Sequence, residues 1–301
     1  MKTIAILFAI FFCCCSGQTS DKYYNSGLEK YDLGNYTGAI LDFNKAIEKN
    51  PDNSEAYYLR GKVKGELGDN RSALTDLNSS ININPNNPLI YFQRALAKNK
   101  LEDYTGAIED NSKAIELNPF YSKAYYNRGV IKNEIGDSYG ALADYNKTLE
   151  IDPNHEGAYL NRGVFKSSLG DNLGAIQDYN KAIQIVTDNE LAYNNRGASK
   201  RILGDIKGAI LDYSKAIDIN PNYGDPYFNR GISKGMIGDK IGEITDYNKA
   251  IEIDPKNNKA YYYRGLTKFA MGDKNGACLD WSKAGELGYK EAYSKIQMYC
   301  R

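Results

Sequence analysis

Residues 123–154 read KAYYNRGVIKNEIGDSYGALADYNKTLEIDPN, and close variants of this phrase return every 34 residues. From Glu55 the chain reads EAYYLRGKVKGELGDNRSALTDLNSSININPN, and from Lys259 it reads KAYYYRGLTKFAMGDKNGACLDWSKAGELG. Eight units of this length run from Ser20 to Glu291 without an internal gap: 20–53, 54–87, 88–121, 122–155, 156–189, 190–223, 224–257 and 258–291. A period of this length is one supersecondary unit that cannot bury its apolar face alone and gains a core only by stacking on its neighbours. Within a unit, small residues sit where two helices must approach closely, Gly129 on the first and Ala141 on the second, with Tyr125 and Tyr145 filling the space beside them. Gly136-Asp137 ends the first helix and turns the chain, because glycine takes a positive φ without steric cost. Pro153 stands just beyond the second helix, which it cannot continue.

These small, aromatic, turn and proline positions make the sequence similar to the tetratricopeptide repeat (TPR) family, and the resemblance covers nearly everything from Ser20 onward. It implies an all-α, right-handed α-solenoid of eight 34-residue helix-turn-helix repeats whose first helices line a concave groove. It also implies a protein or peptide as partner. The last unit has Trp281 in place of tyrosine, lacks the proline and ends in Gly288. Residues 288–301, which include EAYSKIQMYC, are expected to form a C-terminal capping helix similar to those of secreted bacterial members. Two departures, Glu243 at the helix crossing and Thr187 in place of the inter-repeat proline, read as local loosening.

The start of the chain follows different rules. Lys2, the apolar run Ile4 to Phe12 and the small residues Cys13 to Gly17 have the layout of a secretory signal peptide over residues 1–17. That run is shorter than the roughly 20 residues a membrane-spanning helix needs. Cleavage after Gly17 would free a soluble chain; the alternative is a lipid anchor on Cys14 or Cys15, the one case in which the membrane is a partner. Export to a periplasm, an envelope or the medium is expected either way. Lys+Arg and Asp+Glu both number 38, so no basic surplus is offered to a phosphate backbone and nucleic acid is not expected as a partner. The 26 tyrosines against 9 phenylalanines suit half-exposed positions, where a ring packs and its hydroxyl reaches outward.

Charges recur with the repeat. An arginine returns from Arg60 to Arg264 in every unit but the first, which has Ser26, and a lysine stands four residues later from Lys30 to Lys268. Each second helix carries an aspartate, from Asp42 to Asp280. A spacing of four puts Arg128 and Lys132 on one helix face, and the hairpin brings Asp144 opposite the arginine of its own unit and near that of the next. The expected result is a structural ion-pair ladder; an anion-binding site is the alternative. The family more often has leucine and tyrosine at the two basic positions.

Nothing in the pattern suggests catalysis or a cofactor. His155, the one histidine, lies in an inter-repeat turn and reads as a surface residue, and a metal site would need further ligands. The glycines follow the packing and turn positions and open no phosphate-binding loop. Carboxylates follow the period, so no pair is singled out. Cys278 and Cys300 lie 11 residues either side of Tyr289, where the last hairpin should turn, so antiparallel packing brings them level, as a disulfide requires.

The expected ligand groove follows from the first helices. Two residues after the tyrosine position stand Asn25, Gln93, Asn127, Asn161, Asn195 and Asn229. This row is similar to the asparagine ladders by which some family members hold extended peptides by their backbone. The alternative is that asparagine is a polar filler on a solvent-facing helix. Tyr58 and Tyr126, with Val130 and Val164 one turn on, flank the row. Chaperone-docking members place a lysine where this chain has Tyr126 or Leu160, so that ligand mode is not expected. The reading is a non-catalytic scaffold for extended protein segments, within an envelope or secreted complex. The rivals are a structural spacer that uses its convex face or ends, and a carbohydrate-binding module.

Overall fold

A computed structural model describes residues 19–300, all of whose regular elements are helices. The chain divides into two compact units, residues 1–153 and 154–301. In unit one α1 covers residues 19–32. It is followed by α2 (Tyr36–Lys49), α3 (Ser54–Glu66), α4 (Asn70–Ile83), α5 (Pro88–Lys100), α6 (Tyr104–Leu117), α7 (Ser122–Glu134) and α8 (Ser138–Ile151). Unit two holds α9 (Glu156–Ser168), α10 (Asn172–Ile185), α11 (Glu190–Ile202), α12 (Ile206–Ile219), α13 (Gly224–Met236), α14 (Lys240–Ile253), α15 (Asn258–Ala270), α16 (Lys274–Glu286) and α17 (Glu291–Tyr299). Within each unit an odd helix packs on the even helix that follows it, and that even helix packs on the next odd one. This is the helix–turn–helix stacking of an α-solenoid.

The turn inside each repeat is built by two residues acting together. Gly136 takes φ 88°, and Asp137 then caps α8 by accepting the Gly140 N–H at 2.9 Å. Aspartate is a strong N-cap because its carboxylate satisfies a donor that the helix leaves open. A Cβ on Gly140 would lie 2.0 Å from Asp137 Oδ2 as it stands, and the second repeat makes the same cap with a serine, Asp69 accepting the Ser72 N–H at 3.1 Å. The third repeat departs from this, with Glu102 in the left-handed region at φ 62° where the other repeats use glycine.

The crossing of the two helices fixes the core. A Cβ on Gly129 would meet the Tyr145 ring at 2.9 Å, so the ring and the missing side chain are one device. Tyr145, Tyr179, Tyr213, Tyr247 and Trp281 occupy this place in successive repeats, each no more than 2% exposed. The third repeat puts Ala95 and Asn111 at the two positions. The larger residue on the first helix is tolerated because the smaller one on the second leaves it room.

Glu243 does not loosen the seventh repeat, since α14 runs unbroken through it. Its carboxylate accepts the Tyr247 hydroxyl at 3.0 Å and occupies space left by Gly235, where a Cβ would come within 2.7 Å of it. Nothing in the structure explains Thr187. At the C-terminal end α17 lays Ala292 and Tyr299 over Trp281, with Tyr299 also 4.5 Å from the Phe269 ring between centroids.

Candidate functional site

The odd helices carry the row of carboxamides, divided between the two units. In unit one Asn25 is exposed on α1, Leu59 interrupts the row on α3, and Gln93 and Asn127 follow half-buried on α5 and α7. The Nδ2 of Asn127 is buried with no hydrogen-bond partner. In unit two Asn161, Asn195 and Asn229 are half-buried on α9, α11 and α13. These side chains are therefore not the freely solvated groups that a solvent-facing stripe implies. In unit two the odd helices also pack against one another, α11 against both α9 and α13.

Asn194, which the sequence pattern does not single out, ties part of this row together. It stands where most repeats place a ring, as Tyr24, Tyr58, Phe92, Tyr126, Phe228 and Tyr262 do, and it is only 6% exposed. Asn194 Oδ1 accepts from Asn229 Nδ2 at 3.1 Å, and its Nδ2 donates to Asn195 Oδ1 at 3.4 Å and to the Tyr223 hydroxyl at 3.3 Å. A carboxamide has two donors and an acceptor with two lone pairs, so Asn195 and Asn229 keep capacity beyond these bonds. The one available signal was an asparagine replacing an aromatic at a position otherwise apolar.

The flanking rings are anchored in the core and are not free platforms. Tyr126 lies 6.0 Å from the Tyr145 ring and Phe92 lies 5.1 Å from Tyr121, while Tyr58 packs beside the cores of both its own repeat and the next. Burial, chiefly, raises the Tyr58 hydroxyl above its ordinary value, so it remains a neutral donor. Val130 is half-buried on α7, whereas Val164 is 46% exposed on α9.

The recurrent charges form a repeated three-residue cluster. Asp144, 3% exposed, accepts from Arg128 Nε at 2.9 Å and Nη2 at 2.6 Å and pairs with Lys132 at 2.9 Å. The same carboxylate, bound by arginine and lysine of its own repeat, recurs from Asp76 to Asp280. The link to the preceding repeat is not the aspartate that the hairpin argument favours. Arg128 Nη1 reaches Ser112 at 2.9 Å, and Arg60, Arg94, Arg196 and Arg264 reach Asn44, Asn78, Asn180 and Asn248. The aspartate is consumed by its own bidentate partner, and the third guanidinium nitrogen points at a residue two positions further along the previous second helix. Each arginine also stacks on the tyrosine three residues earlier, Arg128 over Tyr125 at 5.5 Å.

His155 is more than a surface residue: it caps α9, with Nδ1 accepting the Ala158 N–H at 3.2 Å. Cys278 and Cys300 are joined in a disulfide with their Cα atoms 5.6 Å apart. The signal-peptide segment and Cys14 and Cys15 lie outside the described residues. Among the described residues no helix is long and apolar enough to cross a membrane, and no group of three or more His, Cys, Asp or Glu side chains is placed to hold a metal ion.

A family model called TPR repeat matches residues 27–68 and 244–272. Two models called Tetratricopeptide repeat match 122–155 and 191–223, and 54–87, 89–121 and 156–186. The chain belongs to the tetratricopeptide repeat family. No curated protein matches the sequence. Among solved structures it is similar to a tetratricopeptide repeat protein from Parabacteroides merdae, at 20% identity and TM-score 0.53, covering 95% of this chain and 100% of that one. PilF of Pseudomonas aeruginosa is 17% identical with TM-score 0.64, over 70% of this chain and 96% of that one. YrrB, described as a TPR protein with an unusual peptide-binding site, is 18% identical with TM-score 0.56, over 62% of this chain and 97% of that one. These three likenesses are of fold.

Proposed function

We propose that the protein is an exported, non-catalytic scaffold whose odd helices hold extended segments of a protein partner, within an envelope or secreted complex. One observation carries this reading: Gln93, Asn127, Asn161, Asn195 and Asn229 occupy a single position on successive odd helices, half-buried. Among them Asn127 keeps a buried donor without a partner. A carboxamide offers an acceptor and two donors, which match the carbonyl and N–H of an extended backbone. Half-burial strengthens such bonds and holds the side chains in place, so less rotamer freedom is lost on binding. The charged groups support a binding role over chemistry, because the core aspartates are engaged by arginine and lysine repeat after repeat. Export is supported by the layout of residues 1–17 and by the bonded pair Cys278 and Cys300, since disulfides persist in oxidising compartments.

The test is a pull-down from envelope extract with the full chain and with Asn161, Asn195 and Asn229 changed together to alanine. Each hydrogen bond is worth about 0.5–1.5 kcal/mol net, so three positions weaken affinity by about tenfold to a thousandfold. The variant should lose the partner while its circular dichroism is unchanged. A folded variant that retains the partner contradicts the reading. Intact mass and thiol counting on protein from its native compartment test export, and an uncleaved Met1 start with two free thiols contradicts it.

A second reading, an assembly spacer, is favoured by Leu173, Leu211, Ile241 and Leu279 on the even helices, which are 67–74% exposed. Serine at Leu211 and Leu279 should then abolish assembly while alanine in the carboxamide row leaves it intact.

A further inference from the structure

Beside the carboxamide row of unit one there is an open crevice of about 190 Å³, walled by Gly65, Ala73, Leu77 and Leu96 and reached by Gln93 and Lys100. Two residue choices open it. Leu77 stands where the fourth to eighth repeats place a tyrosine or Trp281, and it is shorter. Gly65 lies inside α3 with no positive φ, where glycine weakens a helix relative to alanine.

No close contact requires that glycine. A Cβ on Gly65 would have as nearest neighbours Ala73 Cβ at 3.9 Å and Asn70 Oδ1 and Gln93 Nε2 at 4.0 Å, which is ordinary contact. Gly61, one turn earlier, is different, since its Cβ would sit 3.0 Å from Leu77 Cγ. At the repeat position of Gly65 the other repeats carry Tyr31, Asn99, Asn133, Ser167, Arg201 and Phe269, and Gly235 makes room for Glu243. Gly65 is thus the glycine of this set that no packing contact uses. What it secures is the empty space.

The surroundings indicate what fills it. Gln93 is a member of the carboxamide row and its side chain forms no hydrogen bond among the described residues, so an adjoining backbone can satisfy it. Lys100 is exposed and in no ion pair; Glu66, which also lines the crevice, accepts the Tyr31 hydroxyl at 2.8 Å and interacts electrostatically with Lys62. Gly65, Ala73, Leu77 and Leu96 make an apolar wall, and of the two charged residues at the edge Lys100 is the one with no charged partner, since Glu66 has Lys62.

We infer that the crevice takes one large apolar side chain, leucine, methionine or phenylalanine, from an extended peptide whose backbone meets Gln93 and whose adjacent residue is an aspartate or glutamate facing Lys100. This rests on the reading of the odd helices as peptide-binding faces and adds the residue pair that the face selects.

The test pans a phage-displayed library of random dodecapeptides against the full chain and against Gly65→Leu, whose added side chain has room to fold into the crevice. The native chain should enrich an apolar residue at a fixed place next to an acidic one. Gly65→Leu should lose that motif and bind a synthetic peptide from the native selection about tenfold to a hundredfold more weakly. Gly65→Ala, the milder filling, should melt no earlier than the native chain and lose part of the affinity, which guards against a folding artefact. Lys100→Gln should relax the acidic preference and keep the apolar one. An unchanged motif and affinity in Gly65→Leu overturns the crevice and leaves peptide binding standing. No enrichment by either protein overturns both.

Discussion

The third and seventh repeats both break the pattern at the helix crossing, with different consequences. In the seventh, Glu243 stands where a small residue belongs, yet Gly235 makes room for it and the Tyr247 hydroxyl satisfies it. In the third, Ala95 and Asn111 exchange bulk across the same crossing, but Asn111 Oδ1 is left buried without a partner. Asn99 Oδ1 in the same repeat is also unpartnered, and Glu102 replaces the turn glycine at φ 62°. Buried polar atoms without partners cost about 1–3 kcal/mol each, and a left-handed non-glycine residue about 1–2 kcal/mol. The difference teaches that a repeat tolerates a departure when its partner across the crossing changes too, and weakens when the polar atoms are not also satisfied. Amide hydrogen exchange should accordingly be faster on α5 and α6 than on α13 and α14.

The largest effect is expected where the two repeats agree. Asp110, bound by Arg94 and Lys98, and Asp246, bound by Arg230 and Lys234, form the same cluster. Alanine at either leaves two cations facing a partly buried vacancy and should cost about 3–5 kcal/mol in urea unfolding. Similar losses in both place the contrast at the crossing alone, and a much smaller loss in the third repeat would extend it to the charges.

A double-mutant cycle addresses the crossing itself. Asn111→Tyr alone sets a ring against the Ala95 methyl and should destabilise by about 1–3 kcal/mol. Ala95→Gly added to it should recover that loss, because glycine faces tyrosine at the same place in the fourth repeat. Additive effects would refute the compensation.

At the turn, Glu102→Gly should stabilise by about 1 kcal/mol, while Gly238→Ala, at φ 83° in the seventh repeat, should destabilise by a similar amount. The smallest contrast is between two glycines at one repeat position. Gly65→Ala should stabilise by about 0.5–1 kcal/mol because its Cβ has room. Gly235→Ala should instead destabilise by about 0.5–1.5 kcal/mol, since it displaces the Glu243 carboxylate from the Tyr247 hydroxyl. Thermal melts of the two variants read both signs.

The helix pairs and their order were legible in the sequence because Gly129, Ala141, Tyr145 and Pro153 recur at one period and each follows from a local rule. The arginine, lysine and aspartate stand out for the same reason, four residues apart on one helix and fixed on the next. Partners that meet across packed helices were not legible. The bond from Arg128 to Ser112, the Asn194 network with Asn229 and Tyr223, and the accommodation of Glu243 by Gly235 depend on which side chains meet across packed helices, and periodicity does not encode that. Nor does a glycine announce whether it relieves a clash, as Gly61 does, or holds a space open, as Gly65 does.

Whether the odd helices bind peptide backbone is decided by calorimetry of a peptide selected on the native chain. Three proteins are titrated with it: the native chain, a Gln93→Ala/Asn127→Ala variant and an Asn161→Ala/Asn195→Ala/Asn229→Ala variant, with circular dichroism as the folding control. Affinity should fall by about tenfold or more in at least one folded variant, and should change little between low and moderate salt because the contacts are neutral amides. Unchanged affinity in both folded variants would contradict a carboxamide-lined binding face.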